Sequence, residues 1–267
     1  MRMIGVIGRG VVGDAVANAY EACGLFKVSV YDIDPKKCNC TIDYIIHTSD
    51  IIIICVPTPA NEDYSANLTM LDDTIDRFHA TKAIIVVSST VPPGTFDRYD
   101  LDLVSMPEFL VATTARDDYI NPKLVTIGGR SNLVDKVKEA HKTMLDYYDA
   151  NPRWFLYDDP SIPQMIKYAN NFMLALKITA ANLVYDACDM SNVNFDDVRQ
   201  SLMMEERIGS NDYGFCIPGA DGKRGFGGMC FPKDVRAFLT MVRERVSCAS
   251  LIFEMLDYNH SIRGSDD

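Results

Sequence analysis

Residues 3–20, MIGVIGRGVVGDAVANAY, run from an apolar stretch through a glycine loop into a segment with helical periodicity. Residues 26–34, FKVSVYDID, form the next apolar stretch and end in acidic side chains. A strand, a helix and a second strand in this order make a βαβ unit, in which the helix carries the chain between two parallel strands. The beginning of the sequence therefore predicts an α/β domain.

The glycine loop has the spacing of a dinucleotide-binding turn. Gly8, Gly10 and Gly13 follow the pattern G-x-G-x-x-G, which allows a tight turn, close approach of a pyrophosphate and close packing of helix on strand. Asp32 lies at the end of the second strand, where a carboxylate accepts hydrogen bonds from the ribose hydroxyls of NAD and repels the 2′-phosphate of NADP. We therefore expect the chain to bind NAD in preference to NADP.

Further apolar runs extend the predicted sheet. The runs DIIIICV at 50–56, AIIVVSS at 83–89 and LDLVSM at 101–106 have the near-continuous hydrophobicity of strands buried on both faces. The runs LVTIGG and RWFLYD are predicted to be later strands on either side of a helix at 132–148. Together these elements predict a Rossmann-type parallel sheet domain over residues 1–158.

The second part of the chain has the periodicity of helices. Apolar residues recur at helical spacing from 162 to 190, without a glycine or proline beyond the first turn, which predicts one long helix. Shorter helices are predicted at 195–205, 234–246 and 249–262. We therefore expect a smaller all-helical domain over residues 159–267, joined to the first by the long helix.

Composition and charge exclude several classes of protein. The 267 residues are 48% hydrophobic and carry a formal net charge of −11, whereas proteins that bind nucleic acid present basic patches. No apolar run reaches the length of a membrane span and the start of the sequence lacks the features of a signal peptide, so we expect a cytoplasmic protein. The eight cysteines are expected to be thiols, and no pattern of metal ligands accompanies the CNC at 38–40.

Residues 225–234, GFGGMCFPKD, place a cysteine between a glycine cluster and a proline that suits the first turn of a helix. The N–H groups at such a helix N-terminus favour Cys230 as a thiolate nucleophile. Asp234 lies one helical turn from Cys230, and Lys167 and Asn171 have the same spacing on the long helix. Lysine and asparagine can stabilise an oxyanion, while a carboxylate can serve a thiol as an acid/base partner. The alternative is a purely structural turn with a buried thiol.

Motifs along nearly the whole chain resemble those of the UDP-glucose/GDP-mannose dehydrogenase family. They are GRGVVG, YDIDPKK, VPTP, STVPPGT, MPEFL, IKYANNFMLALKI, RIG and GFGGMCFPKD, of which the last is highly specific. The resemblance implies an enzyme that uses NAD to oxidise a hydroxymethyl group of a nucleotide sugar to a carboxylate. Two oxidations are needed, and a cysteine adduct would hold the reactive aldehyde between them.

The resemblance also implies catalytic roles for individual residues. Cys230 would be the nucleophile that forms thiohemiacetal and thioester intermediates, with Lys167 and Asn171 stabilising the oxygen. Asp234 would act with water as a base, and Glu108 would assist hydrolysis of the thioester.

The binding sites implied by the resemblance draw on both parts of the chain. Thr90 would position water or cofactor in addition to its place in the NAD site. The implied NAD site consists of Gly8, Gly10, Val12, Gly13, Asp32, Lys37, Thr58 and Thr90. The implied substrate contacts are Glu108, Phe109, Leu110, Lys167, Asn171, Arg207, Gly225 and Gly227.

The chain departs from the family pattern at two acidic positions. Ala112 stands where the family has a glutamate four residues after Glu108, and Gln164 replaces the glutamate before the catalytic lysine. Both replacements weaken the assignment of thioester hydrolysis.

The substrate site is expected to differ from that of the family in a second respect. Family members continue into a third domain that binds the nucleotide of the sugar, whereas 37 residues follow Cys230 here (267 − 230). We expect the loop at 209–224, with Lys223 and Arg224, to bind the sugar diphosphate, although a solvated loop is an equal alternative. A homodimer through the long helix is expected, and a separate chain could complete the substrate site.

Two other functions are compatible with parts of the sequence. A single-step β-hydroxyacid dehydrogenase also combines a Rossmann domain with a helical domain and uses a helix lysine followed by an asparagine, but its reaction needs no thiol. A subunit that binds NAD and dimerises without full activity is the non-enzymatic alternative. The set Cys230, Lys167, Asn171 and Asp234 favours the two-step oxidation.

Overall fold

The structure is a computed structural model that describes residues 1–206, 208, 214–242 and 249–264 of the chain. The chain forms two compact units. The first consists of Met1–Pro59 and Ala66–Lys167, and the second of Ala60–Ser65 and Tyr168–Asp267.

A seven-stranded sheet forms the centre of the first unit. Its strands are β1 (Arg2–Ile7), β2 (Phe26–Tyr31), β3 (Ile51–Ile54), β4 (Ile84–Val87), β5 (Leu103–Ser105), β6 (Leu124–Gly128) and β7 (Arg153–Tyr157). Their order across the sheet is β2-β1-β3-β4-β5-β6-β7. Because β2 and β3 lie on opposite sides of β1, the strand order reverses at β1, and open α/β sheets bind ligands at the carboxyl edge of such a point.

The predicted Rossmann-type α/β fold is confirmed, but the sheet is not parallel throughout. Neighbouring strands from β2 to β5 are parallel, as are β6 and β7, whereas β5 and β6 pair antiparallel through Ser105 and Gly128. Antiparallel neighbours can be joined at one end of a sheet, and residues 106–123 make this connection with one short helix, α4 (Ala115–Ile120). The sheet is therefore mostly parallel, with one antiparallel pair.

The remaining helices of the first unit are of two kinds. The longer ones are α1 (Val11–Ala22) and α5 (Ser131–Tyr147), and both follow the predicted periodicity. The short helices α2 (Ile42–Thr48) and α3 (Thr69–Ile75), like α4, have no counterpart in the sequence prediction. Segments of six or seven residues are too short to show a helical period.

Strand β3 shows why the core lies on both faces of the sheet. Ile51 and Ile53 pack into the cluster that includes Val16 of α1, whereas Ile52 and Ile54 pack into a second cluster with helices α2 and α3. All four side chains are buried, as expected where successive strand residues point to opposite faces and both faces are covered.

The described part of the second unit is helical. Helix α6 (Ser161–Met190) begins in the first unit and continues into the second, where it is followed by α7 (Phe195–Met203), α8 (Phe231–Val242) and α9 (Ser250–Arg263). A small apolar core joins α6, α8 and α9 through Ala175, Phe226, Leu239 and Ile252. The predicted end of the third helix, at 243–246, lies outside the described residues.

None of the helices in the described ranges is long and apolar enough to cross a membrane. Within the same ranges, no three His, Cys, Asp or Glu side chains are grouped so that they could hold a metal ion.

Candidate active site

The three glycines of the loop after β1 have different surroundings. Gly8 has φ +88°, and a Cβ there would lie 2.7 Å from the backbone oxygen of Cys55. A Cβ on Gly13 would overlap the backbone oxygen of Gly8, so the helix can approach the loop only without a side chain. A Cβ on Gly10 would meet no atom within 4 Å. Two glycines are therefore required by packing, and the middle one borders open space.

The start of α1 suits a phosphate group. Gly10 is the N-cap and contributes no side-chain hydrogen bond, so the first N–H groups of α1 are available to an anion. A cavity of about 420 Å³ lies beside this turn, lined by Val11, Asp14 and residues 112–117. Val12 is half-buried against the core under α1. The residues present therefore fit the pyrophosphate of a dinucleotide.

Asp32 is held in place at the end of β2. One carboxylate oxygen accepts the backbone N–H of Arg9 at 2.6 Å, and the other accepts that of Asp34 at 2.8 Å. Burial alone would raise the pKa of Asp32, but the two N–H groups and the nearby charge of Lys37 outweigh burial and lower the pKa. The Asp32 carboxylate is therefore ionised and oriented, as an acceptor for ribose hydroxyls must be.

Two of the predicted residues meet at the ends of β3 and β4. The hydroxyl of Thr58 donates to the backbone oxygen of Thr90 at 2.7 Å, and Thr58 is buried while Thr90 is half-buried. Because both strands end at the same edge of the sheet as β1, these residues lie at the edge where the glycine loop begins.

Lys167 and Glu108 form a buried ion pair in the first unit. The Nζ atom of Lys167 donates to the backbone oxygen of Glu108 at 2.7 Å and lies 3.3 Å from the Glu108 carboxylate. The side chains are only 7% and 12% exposed, and the ring of Phe109 lies 5.5 Å from the ammonium group. The other carboxylate oxygen of Glu108 accepts the backbone N–H of Leu110 at 2.8 Å. The predicted residues Glu108, Phe109 and Leu110 thus belong to one cluster around the lysine.

Gln164, one turn before Lys167, is also buried. Neither polar atom of its side-chain amide has a partner among the described residues. A glutamate here would add a second buried carboxylate, besides that of Glu108, one turn from Lys167, so the replacement by Gln164 removes a buried charge.

The second unit contains a different buried cluster, around Asp234 of α8. One carboxylate oxygen of Asp234 accepts the side-chain amide of Asn171 at 2.6 Å, and the other pairs with the ammonium group of Lys233 at 2.5 Å. Asp234 is 1% exposed and Asn171 is 4% exposed. Asn170 in turn donates to the side-chain oxygen of Asn171 at 3.1 Å. The buried carboxylate is therefore compensated on both oxygens.

Cys230 lies at the N-terminus of α8, as predicted. Its backbone oxygen accepts the N–H of Asp234 at 2.9 Å, the first bond of the helix, and its side chain is exposed. The thiol therefore lies exposed at the N-terminus of a twelve-residue helix.

The glycines before Cys230 are packed against α9. A Cβ on Gly225 would overlap the side-chain oxygen of Asn259, and a Cβ on Gly227 would overlap the guanidinium group of Arg263. Asn259 also accepts the backbone N–H of Phe226 at 2.8 Å and donates to its carbonyl at 3.0 Å. Packing alone thus explains Gly225 and Gly227, and their contact with substrate stays a prediction.

Arg224 is engaged in the second unit. Its guanidinium group donates to Asp186 at 2.5 Å and to the side-chain oxygen of Asn182 at 3.1 Å, and it stacks on the ring of Tyr185. These contacts do not support the expected clamp on a sugar diphosphate. The predicted substrate contact Arg207 and residues 209–213 of the predicted loop at 209–224 lie outside the described residues.

Two models of one family match the chain in succession. The NAD-binding domain of the UDP-glucose/GDP-mannose dehydrogenase family matches residues 37–145, and the central domain of the same family matches residues 163–261. The chain belongs to this family. The UDP-glucose 6-dehydrogenase of Rickettsia felis is 30% identical over 219 residues, which cover 77% of this chain and 47% of that protein. The chain thus spans about half the length of the curated relatives it matches.

Solved structures agree with the family assignment. A UDP-glucose dehydrogenase from the archaeon Pyrobaculum islandicum has a TM-score of 0.78 and 25% identity, covering 97% of this chain and 68% of that one. The 3-hydroxyisobutyrate dehydrogenase of Mycobacterium tuberculosis has a TM-score of 0.73 at 13% identity and covers 100% of this chain and 96% of that one. At that identity the second match shows a common fold alone.

Three contacts within these clusters were not predicted from the sequence. Arg9 orients Asp32 through its backbone, Lys233 pairs with Asp234, and Asn170 orients Asn171. Lys233 and Asn170 adjoin predicted residues in the dehydrogenase motifs, and Arg9 lies inside the glycine loop. The sequence shows only that these three residues lie next to predicted residues, and it does not show which residue beside a predicted one makes a contact.

Proposed function

We propose that the chain catalyses the NAD-dependent oxidation of the hydroxymethyl group of a nucleotide sugar to a carboxylate, with Cys230 as a covalent nucleophile. The observation that carries the proposal is an exposed Cys230 at the start of α8, one turn from a buried Asp234 whose oxygens are held by Asn171 and Lys233. Membership of the dehydrogenase family supplies the chemical context.

NAD is the cofactor of the family's first domain, and each of the two oxidations delivers two electrons to one NAD. In this chain the first N–H groups of α1, Asp32 and Lys37 would hold it, with Thr58 and Thr90 at the same sheet edge. The oriented carboxylate of Asp32 would disfavour the 2′-phosphate of NADP. We therefore expect the dissociation constant for NAD to be well below that for NADP, and equilibrium binding of both would test this.

The covalent step explains why a thiol is needed. The first oxidation removes two electrons and two protons from the alcohol and leaves an aldehyde. Sγ of Cys230 then bonds to the aldehyde carbon while the oxygen takes a proton, which gives a thiohemiacetal. The second removal of two electrons and two protons leaves a thioester. Water adds to the thioester carbon, the C–S bond breaks, the thiolate leaves and a carboxylate remains.

The buried polar groups have complementary roles in this scheme. Lys167 and Asn171 are proposed to stabilise negative charge on the substrate oxygen, because both offer buried donors. Asp234 is proposed to accept protons through water, and Glu108 to assist attack by water on the thioester. The ion pair with Lys167 supports the role proposed for Glu108, because the ammonium group holds the Glu108 carboxylate in place.

The proposal is tested by the stoichiometry of the reaction. Purified protein is incubated with NAD and either UDP-glucose or GDP-mannose, and NADH and the sugar acid are measured together. Two NADH for each acid are expected. One NADH for each product with a 3-hydroxy acid as substrate would instead support the single-step dehydrogenase, which has the same fold. Absence of turnover with all of these substrates would support an NAD-binding subunit that needs another chain.

The expected homodimer and cytoplasmic location remain predictions. Sedimentation equilibrium of the purified chain would test the first, with a mass of twice 29.8 kDa as the expected result.

A further inference from the structure

The backbone of Phe226, four residues before Cys230, is held by a side chain of α9. Asn259 accepts the Phe226 N–H at 2.8 Å and donates to the Phe226 carbonyl at 3.0 Å. Both residues are buried, with 8% of Asn259 and 1% of Phe226 exposed. The Phe226 ring belongs to the apolar core of the second unit, which also contains Ile252 and Met255 of α9. Phe226 is therefore fixed through its backbone as well as its side chain.

Arg263, one turn further along α9, holds the backbone at the two preceding positions. Its Nη1 atom donates to the carbonyl oxygens of Arg224 and Gly225 at 3.2 and 3.5 Å, and its guanidinium group also pairs with Asp221. The Arg263 side chain is 5% exposed, and hydrogen bonds from a charged donor are stronger than those between neutral groups. We call residues 224–226 the anchor segment, because two successive turns of α9 hold its backbone.

The chain between the anchor segment and Cys230 is short and rich in glycine. This linker consists of Gly227, Gly228 and Met229, of which Gly228 has φ +75° and Met229 is 82% exposed. Glycine has more backbone freedom than any other residue, so the linker by itself does not order the chain that follows it. Because the linker is so short, an ordered Phe226 limits the positions that the Cys230 backbone can take.

The chain after Cys230 is fixed by α8. The Cys230 carbonyl accepts the N–H of Asp234 at 2.9 Å, and the Asp234 side chain is bonded to Asn171 and Lys233. The exposed thiol thus lies between a fixed helix on one side and the anchor segment on the other. Without the anchor segment, the turn that leads into the helix would be free to move and the thiol with it.

We propose that Asn259 is a positioning residue for Cys230, and that Arg263 assists it by holding the same anchor segment. This role rests on the covalent chemistry proposed for Cys230. Attack of Sγ on the aldehyde carbon needs correct placement, and a displacement of about 1 Å can lower the rate of such a step about a hundredfold. The first oxidation does not use the thiol and should be spared.

The two oxidations should therefore respond differently to Asn259→Ala. The purified whole chain is incubated with NAD, UDP-glucose and semicarbazide, which traps aldehyde that leaves the site, and NADH and sugar acid are measured. In the variant, acid formation should fall about tenfold or more, whereas NADH formation should fall less than about threefold. NADH formed for each acid then rises above the two expected of the unchanged chain, and trapped aldehyde appears. Equal falls in NADH and acid, or no fall in acid, would overturn the positioning role.

Two further variants separate positioning from loss of stability. Ile252→Ala removes buried contacts from the same helix and the same core without changing a hydrogen bond of the anchor segment, and should keep two NADH for each acid. Arg263→Ala leaves Asn259 in place and should also raise the ratio, which keeps the test open if Asn259→Ala does not fold. A raised ratio in Ile252→Ala, or an unchanged ratio in Arg263→Ala, would contradict the assignment.

Hydrogen exchange followed by mass spectrometry tests the restraint without turnover. In Asn259→Ala, the amides of residues 227–231 should exchange at least about threefold faster than in the unchanged chain, while those of α7 and of the first unit keep their rates. Ile252→Ala should leave exchange at 227–231 as it is. Unchanged exchange there in Asn259→Ala would overturn the positioning role. Faster exchange in a protein that forms no acid would support the restraint and show instead that the proposed function is wrong.

Discussion

The two regions that carry the proposed chemistry both place a glycine cluster before a helix, yet the glycines of the two clusters have different roles. At the start of α1, the missing side chain of Gly10 borders open space, while Gly8 and Gly13 allow backbone contacts. Before α8, Gly225 and Gly227 make room for the side chains of α9. The first cluster leaves space for a ligand, and the second anchors the segment that presents Cys230.

A glycine-rich motif therefore does not by itself define the role of its glycines. In both regions the proposed contact with a ligand is a single position: Gly10 in the first, and Cys230, which is not a glycine, in the second. Substitutions can therefore separate binding, chemistry and packing within each region.

The largest effect is expected at the thiol of the second region. Cys230→Ser should lower formation of the sugar acid about a thousandfold or more, since a hydroxyl is a poor nucleophile without its own base, while NAD affinity should stay unchanged. The measurement is acid formed per enzyme, with NAD binding measured in parallel. Cys216→Ser, at another exposed cysteine of the same unit, is the matched control and should retain activity. A serine variant at 230 with full activity would remove the thiol from the mechanism.

Two glycines of the first region should respond differently to substitution by alanine. Gly13→Ala should destabilise the first unit by about 3 kcal/mol or more, because its Cβ would overlap backbone that cannot move aside. Gly10→Ala should cost within about 1 kcal/mol but weaken NAD binding roughly tenfold, because its Cβ enters the space proposed for the pyrophosphate. Urea unfolding followed by the fluorescence of Trp154, the one tryptophan of the sequence, reports on this unit. Similar unfolding free energies for the two variants would contradict the distinction.

Mild acid should act on the unit that contains the first region. The pKa of His141 is lowered from 6.5 to about 4, so the unfolded chain binds a proton between these values while the folded chain does not. Stability is therefore complete above about pH 6.5 and is lost as the pH falls towards 4, with a loss of about 2 kcal/mol near pH 5. Urea unfolding at neutral and acidic pH measures it, and Tyr20→Phe with His141→Phe should flatten this part of the profile. A parallel profile in the double variant would show that other groups are responsible.

The smallest effect is expected at the packed glycines of the second region. Gly227→Ala should cost about 1 kcal/mol, since its Cβ meets the side chain of Arg263 rather than backbone. In an Arg263→Ala background the same substitution should cost almost nothing, and unfolding followed by circular dichroism would measure both. A cost that persists without Arg263 would mean that another contact requires the glycine.

Most of the fold could be predicted because its signals are local. The run of isoleucines in β3 and the uninterrupted periodicity of α6 each identify an element within one segment of chain. The direction of β6 could not be predicted, because a buried strand has the same run of apolar residues whether it is parallel or antiparallel to its neighbour. The sequence identifies Gln164 only as a departure from a motif, because its burial without a described partner depends on the residues that surround it.

Local sequence predicts the dinucleotide-binding turn, the acidic end of β2 and a cysteine at the start of a helix, because each depends on residues within a few positions of one another. The partners of the buried polar groups depend instead on the fold. Lys167 meets Glu108 across 59 positions, Asn171 meets Asp234 across 63, and His141 meets Tyr20 across 121. A buried polar atom takes whichever partner the fold brings within hydrogen-bond distance, and that partner is set by packing over the whole unit rather than by local spacing.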